Sequence, residues 1–187
     1  MNSMFYCDKF EDDWIISDNI GIKGISKIIK KGIKTTSPVP LDSKSTTGGN
    51  AKQYDLFEYL QYNSVMDKVK EKILLNLKRH LQLKLSDLKL LSAWTVLGYK
   101  NSYHTLHKHN EKQNHVASVL YLKVPNSPPR KKGSFYYLSK NGQEINCGRL
   151  SPKVGDLVIF PIWLWHGVYP QPEGLRQTLN LDFEICY

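Results

Sequence analysis

The sequence predicts a β-sandwich or jelly roll carrying a helical layer on its N-terminal side. Three observations lead there. One stretch between about Asp55 and Leu83 repeats its apolar residues every four positions, as a surface helix does. After it, short runs of β-branched and aromatic residues follow one another, separated by turn signals. Those runs do not alternate with further helical stretches, which argues against a βαβ fold. At 187 residues the chain has the length of one domain. Within it, residues 1–87 hold N-terminal strands, a loop and the helix, and residues 88–187 hold the β core.

Taken in order, residues 1–36 are mixed: Trp14-Ile15-Ile16 and the isoleucines from Ile20 to Ile33 lack a clean period and are broken by Gly21, Gly24 and Gly32, so short strands or a hairpin are expected. Thr35 to Asn50 is rich in Ser, Thr, Pro and Gly and reads as a connecting loop, with a lid as the functional alternative. Val65, Val69, Ile73 and Leu77 then form the helical stripe, widened by Leu74 and Leu81, with Asn63 or Ser64 as N-cap. His80 falls on its solvent side, where the helix dipole favours it. Strands are expected over Leu88–Leu97, Val116–Val124, Gly133–Leu138 and Gly155–Phe160, the last stopped by Pro161. Arg176 to Ile185 alternates, so that Arg176, Thr178, Asn180 and Asp182 share one face and Gln177, Leu179, Leu181 and Phe183 the other.

Composition narrows the class. No apolar run is long enough to span a bilayer, and the N-terminus lacks a signal-peptide core. Cys7, Cys147 and Cys186 are scattered and without CxxC spacing, which suits reduced thiols in the cytoplasm rather than a disulfide framework or a zinc site. The net charge of +9 raises the question of nucleic acid. Arginine occurs only at Arg79, Arg130, Arg149 and Arg176, however, so the excess is lysine, and the basic clusters are short. Nucleic-acid surfaces lean on arginine and interleaved aromatics, so a solvated lysine-rich surface is the better reading.

The chemistry concentrates in Tyr103-His104-Thr105-Leu106-His107-Lys108-His109-Asn110-Glu111. In an extended strand His107, His109 and Glu111 would point the same way, presenting two imidazoles and a carboxylate to a metal. A histidine-rich polar loop is the alternative. His166 follows a buried strand in Phe160-Pro161-Ile162-Trp163-Leu164-Trp165-His166, and Arg176 comes ten residues later. A pair from one strand plus a distant histidine can close a metal site inside a sandwich, and Arg176 can hold a carboxylate bidentately. Of Trp163 and Trp165, one is expected to pack inward. His104 and His115 read as loop or surface groups rather than ligands.

These pieces resemble the iron(II)- and 2-oxoglutarate-dependent oxygenases with a double-stranded β-helix core, and in particular a microbial and phage subgroup of hydroxylase-like members. The matching segments are Trp94 with its following glycine, His107-Lys108-His109, Ser118-Val119-Leu120-Tyr121-Leu122, Gly155 to Pro161, His166, and Arg176 to Asn180. Together they cover about residues 90–185. The resemblance implies iron(II) and 2-oxoglutarate, with His166 as the distal iron ligand and Arg176 paired with the far carboxylate of 2-oxoglutarate. For the proximal ligands, His109-Asn110-Glu111 satisfies the pattern of the superfamily and His107-Lys108-His109 that of the subgroup. His109 belongs to either. Glu111 is favoured because a carboxylate offsets the charge of iron, and the residue not chosen would orient a ligand or receive a proton. No catalytic residue beyond the metal ligands is implied. Tyr103, Tyr121 and Thr178 are candidates for the cosubstrate pocket, with core packing as the alternative for the tyrosines.

The implied activity is hydroxylation, coupling decarboxylation of 2-oxoglutarate with dioxygen to oxidation of a substrate C–H bond. The substrate could be a peptide, a nucleotide or a small molecule, and no residue identifies it. The competing reading is a non-catalytic or 2-oxoglutarate-independent cupin-like sandwich that binds metal or ligand. Arg176 distinguishes them, because a plain cupin metal site does not need it.

Overall fold

The structure, a computed structural model, describes residues 13–21, 23–41, 46–82, 84–110, 112–125, 132–141 and 144–187. Eight strands form the core: β4 (Asp87–Gly98), β5 (Tyr103–His107), β6 (His115–Lys123), β7 (Phe135–Asn141), β8 (Glu144–Leu150), β9 (Asp156–Pro161), β10 (Trp165–Val168) and β11 (Arg176–Cys186). Before them come β1 (Ile16–Asn19), α1 (Ile25–Thr35), β2 (Thr47–Gly48), β3 (Ala51–Asp55), α2 (Phe57–Leu60) and α3 (Ser64–Leu81). One sheet runs β1-β9-β6-β11-β4-β3 and the other β2-β5-β10-β7-β8, with antiparallel pairing throughout. Successive core strands cross between the two sheets except at the β7–β8 hairpin. This is a double-stranded β-helix, a jelly roll.

Two apolar layers flank the six-stranded sheet. Its outer face packs Leu157, Ile159, Leu179, Leu181 and Phe183 under Val69, Ile73 and Leu77 of α3 and Ile29 of α1. Its inner face meets the second sheet through Ala117, Tyr121, Phe135, Val158 and Phe160. Strand β9 is therefore covered on both sides, which is why Leu157 to Phe160 is a continuous apolar run rather than an alternating one. Strand β11 has the alternation read from the sequence. Its leucines and Phe183 face the helices, which leaves Arg176, Thr178, Asn180 and Asp182 to face inward.

Helix α3 begins as its sequence indicates, with the Asn63 side chain accepting a hydrogen bond from Val65 N at 3.1 Å. Residues 25–35 correct the expectation of strands or a hairpin: they form α1. Ile25, Ile28, Ile29, Gly32 and Ile33 make a helical stripe after all, and its period is obscured because Gly32 stands at a buried position. Gly32 is there for contact, since a Cβ would lie 2.7 Å from Cδ1 of Tyr59. Of the Thr35–Asn50 segment, residues 42–45 lie outside the described residues, and the rest is more structured than a plain connection. Thr47 and Gly48 pair with His104 and Tyr103 at the edge of the second sheet, and Val39 bridges to Gln53. Strands β8 and β10 carried no clear sequence signal. β8 is largely exposed and polar, and β10 has only four residues.

Replacing Asn63 with Ala is expected to cost about 1 kcal/mol by removing the cap. Ile73→Ala, which opens a cavity under the sheet, is expected to cost roughly 2–5 kcal/mol. Urea unfolding monitored by circular dichroism measures both.

Candidate metal centre and cosubstrate cavity

Antiparallel pairing of β10 with β5 sets His166 directly opposite His107. Strand β5 ends at His107, so His109 does not reach the site by strand alternation. Its backbone N–H instead donates to the carbonyl of Ile162, at 3.1 Å, in the turn before β10. One ring nitrogen from each of His107, His109 and His166 lies within 4.8 Å of the others. Glu111 lies outside the described residues.

The hydrogen bonds fix the tautomers. Nδ1 of His107 donates to the carbonyl of Thr105 at 2.8 Å, and Nδ1 of His166 to that of Leu164 at 2.9 Å. A carbonyl only accepts, so each Nδ1 carries the proton and each Nε2 keeps a free lone pair. His109 Nδ1 lies 3.0 Å from Asp182 Oδ1, and Ser92 Oγ donates to the other carboxylate oxygen at 2.8 Å. A carboxylate–imidazole pair of this kind orients a metal ligand and raises its basicity. His166 is further held by stacking on Phe135, with ring centroids 5.5 Å apart, and by Phe160 at 4.6 Å. Burial, followed by the neighbouring imidazoles, pulls His166 well below the usual histidine range. Burial likewise lowers His107. Both are thus neutral near pH 7, the form that binds a metal.

Behind the histidines a narrow inner cavity of about 30 Å³ leads to Arg176. Thr178, Asn180, Tyr121 and Trp94 border it. Arg176 is only 2% exposed, and among the described residues its Nε and Nη1 have no hydrogen-bond partner. Burial lowers its pKa, but arginine stays charged, so the cavity ends in an uncompensated cation. The Tyr121 hydroxyl is pushed upward by burial and stays protonated, able to donate. Thr178 Oγ1 accepts from Asn180 Nδ2 at 3.2 Å. On the other side of the histidines a mouth cavity of about 270 Å³ is lined by Thr46, Thr47, Gln53, Trp94, Lys108 and Asp182.

Several sequence expectations change place. Tyr103 is 38% exposed, and its ring lies over Gly48 rather than in the inner cavity. His104, read as a loop or surface group, lines both the inner and the mouth cavities, where burial and the Arg176 charge hold its pKa well below normal. His115 is buried at the start of β6. Trp163 packs into both apolar layers, while Trp165 is 44% exposed with the Lys108 ammonium over its ring. Asp182 had been placed on the Arg176 face without a role. Its position six residues after Arg176, on that same polar face, was the available signal.

Residues 92–182 match the family described as "Putative 2OG-Fe(II) oxygenase". Over that segment, just under half of the chain, the sequence is similar to this family, and the match supports an iron(II)- and 2-oxoglutarate-dependent oxygenase with dioxygen as co-substrate. Solved structures share the fold along nearly the whole chain. A prolyl-4-hydroxylase from Pseudomonas putida is 17% identical, with 95% of each chain covered and a TM-score of 0.61. The viral collagen prolyl hydroxylase of Paramecium bursaria Chlorella virus-1 is 15% identical, covering 93% of this chain and 97% of that one, with a TM-score of 0.63. HygX from Streptomyces hygroscopicus, solved with nickel, 2-oxoglutarate and hygromycin B, is 15% identical, covering 94% and 84%, with a TM-score of 0.65. No curated protein matches the chain by sequence. No helix among the described residues is long and apolar enough to cross a membrane.

The lowered histidines have a consequence for stability. Their folded-state pKa lies below the unfolded value of about 6.5, so the unfolded chain binds more protons just below that pH. The metal-free protein should keep its full stability above pH 7 and lose it as the pH falls through 6.5. Thermal melts between pH 7.5 and 5.5 measure this, and the dependence should flatten in His166→Gln.

Proposed function

We propose that His107, His109 and His166 hold the iron and that Arg176 anchors the far carboxylate of 2-oxoglutarate. The observation that carries this reading is the pair of complementary vacancies in the hydrogen bonding. Three imidazoles converge with their Nδ1 protons already committed, and a buried guanidinium one cavity away has two nitrogens without partners. The first arrangement suits a divalent metal, and the second suits a carboxylate. Asp182 supplies through His109 the negative charge that a carboxylate ligand would supply directly. Glu111, two residues beyond His109, remains the alternative anionic ligand.

Iron(II), when bound, supplies the dioxygen chemistry that couples decarboxylation of 2-oxoglutarate to oxidation of a C–H bond. The chain's own residues do the rest. Phe135 and Phe160 hold His166 in one rotamer and keep water from its buried side. Tyr121 and Thr178 border the path to Arg176 and offer hydroxyls to the cosubstrate. The inner cavity is tight, so seating the cosubstrate displaces water and rotates lining side chains. The mouth cavity, bordered by Thr46, Thr47, Gln53 and Lys108, is where a substrate would approach the histidines, and hydroxylation is the proposed outcome. Cys147 and Cys186 are unpaired, as suits a reducing, cytoplasmic setting for an iron(II) enzyme.

Anaerobic addition of iron(II) and then 2-oxoglutarate should produce a visible metal-to-ligand charge-transfer band in the native protein. His166→Ala should abolish it together with iron binding. Arg176→Ala should spare iron binding and weaken 2-oxoglutarate by at least about tenfold, in line with the loss of a buried charged hydrogen bond. Asp182→Asn is expected to lower iron affinity by roughly 10–100-fold. Glu111→Ala should leave iron affinity near native. Loss of iron on Glu111→Ala with retention on His107→Ala would exchange the roles of those two residues.

A further inference from the structure

At the end of the barrel away from the three histidines lies a larger cavity, of about 350 Å³, that the oxygenase reaction leaves unused. None of the histidines lines it. Arg176 and Tyr121 line both this cavity and the inner one. A second buried side chain borders it: Gln171 is 2% exposed, and among the described residues neither its Oε1 nor its Nε2 has a partner. The Gln171 backbone is pinned, its N–H donating to Ser102 O at 2.8 Å and its carbonyl accepting from Asn101 N at 2.9 Å. These bonds hold the Gln171 backbone at the edge of the cavity that its side chain lines.

Buried donors left unpaired are costly, and a cavity lined by several of them calls for an occupant. Water can satisfy the amide, but it cannot neutralise the guanidinium. Lys132 and Lys153 add positive charge, and among the described residues no carboxylate side chain lines the cavity. The adjacent acid, Asp156, is engaged by the Asn19 side chain at 2.8 Å and by Lys153 N–H at 2.7 Å. Val124, Pro125 and Pro172 supply apolar wall. Cationic and amide groups beside apolar wall suit an anion with a carbon body better than bare phosphate.

We infer that this cavity is a second anion site, which takes a small organic carboxylate against Gln171, Lys153 and the far side of Arg176. Because Arg176 serves both cavities, an anion here offsets the charge that would hold the cosubstrate, and each ligand weakens the other to the same degree. That coupling rests on the proposed anchoring role of Arg176. The site itself needs neither iron nor the histidines.

The test is calorimetric titration of the metal-free, chelator-treated protein with 2-oxoglutarate, succinate and butyrate in turn. The expected result is saturable binding of one carboxylate per chain without metal. Binding should weaken at least tenfold in Lys153→Glu, whose exposed position spares the fold, and disappear in Gln171→Leu. It should persist in His166→Ala. Preference for the two dicarboxylates would identify the cosubstrate or its product as the source, and equal binding of butyrate would identify a general carboxylate site. Absence of saturable binding without metal overturns the inference, as does native affinity in both Lys153→Glu and Gln171→Leu, or loss in His166→Ala. The charge-transfer band of the iron-loaded protein reports separately on the cosubstrate reading, so the two can fail independently.

Discussion

Strand β11 carries opposite chemistries on its two faces, and the interior of the barrel depends on how it is held. It lies between β4 and β6, and its apolar residues are clamped beneath the helices, with Leu179, Leu181 and Phe183 fully buried. A slip of one residue would turn every side chain to the other face, so this burial also fixes Arg176, Thr178, Asn180 and Asp182 inside. The helical layer far from the histidines thereby determines the polarity of the cavity beside them. Arg176 pairs in register with Gly98. A Cβ at Gly98 would sit 3.6 Å from Arg176 Nη2 and 2.6 Å from Ser102 Oγ.

On the proposed metal reading, the three histidines are prepared before any ligand arrives. Each Nδ1 is committed to an oxygen, which sets the tautomer, and burial of His107 and His166 keeps the rings neutral. Three neutral imidazoles would give a bound divalent ion no compensating charge. Asp182 provides it one hydrogen bond away, and Ser92 fixes the carboxylate in turn. Arg176 is the reverse case, a charge kept dry with nitrogens unpaired. Such a group destabilises the empty protein and binds an anion more strongly for that reason. Both arrangements place the electrostatic cost in the fold rather than in the binding step.

The same barrel architecture is shared with proteins of quite different titles, among them prolyl hydroxylases and an enzyme bound to hygromycin B. Fold therefore says little about what enters the mouth. Part of that rim here comes from outside the eight core strands: Thr46 just before the short β2, Thr47 on it, Gln53 on β3, and Lys108 just past β5, facing Trp94 and Asp182 of the core. On the proposed reading, substrate choice depends on these additions as well as on the barrel.

The sequence by itself determined the features that rest on local periodicity. The stripe of α3, the Asn63 cap and the two faces of β11 each follow from side-chain spacing along one element. The order of the histidine cluster, His166 and Arg176 was legible too, because that spacing marks a family. Tertiary structure alone decided the rest. Helix α1 was hidden because Gly32 is a contact point for Tyr59, which no local pattern reveals. His104 was read as a surface group because its enclosure comes from Val168 and Thr47, its partners on two other strands. His107, His109 and His166 meet because β5 pairs with β10 and because Ile162 draws in the backbone of His109 after the strand has ended. Asp182 and Gln171 gained their meaning only when the barrel closed, for a hydrogen bond across 73 residues and an amide left unpaired are facts of packing, not of sequence.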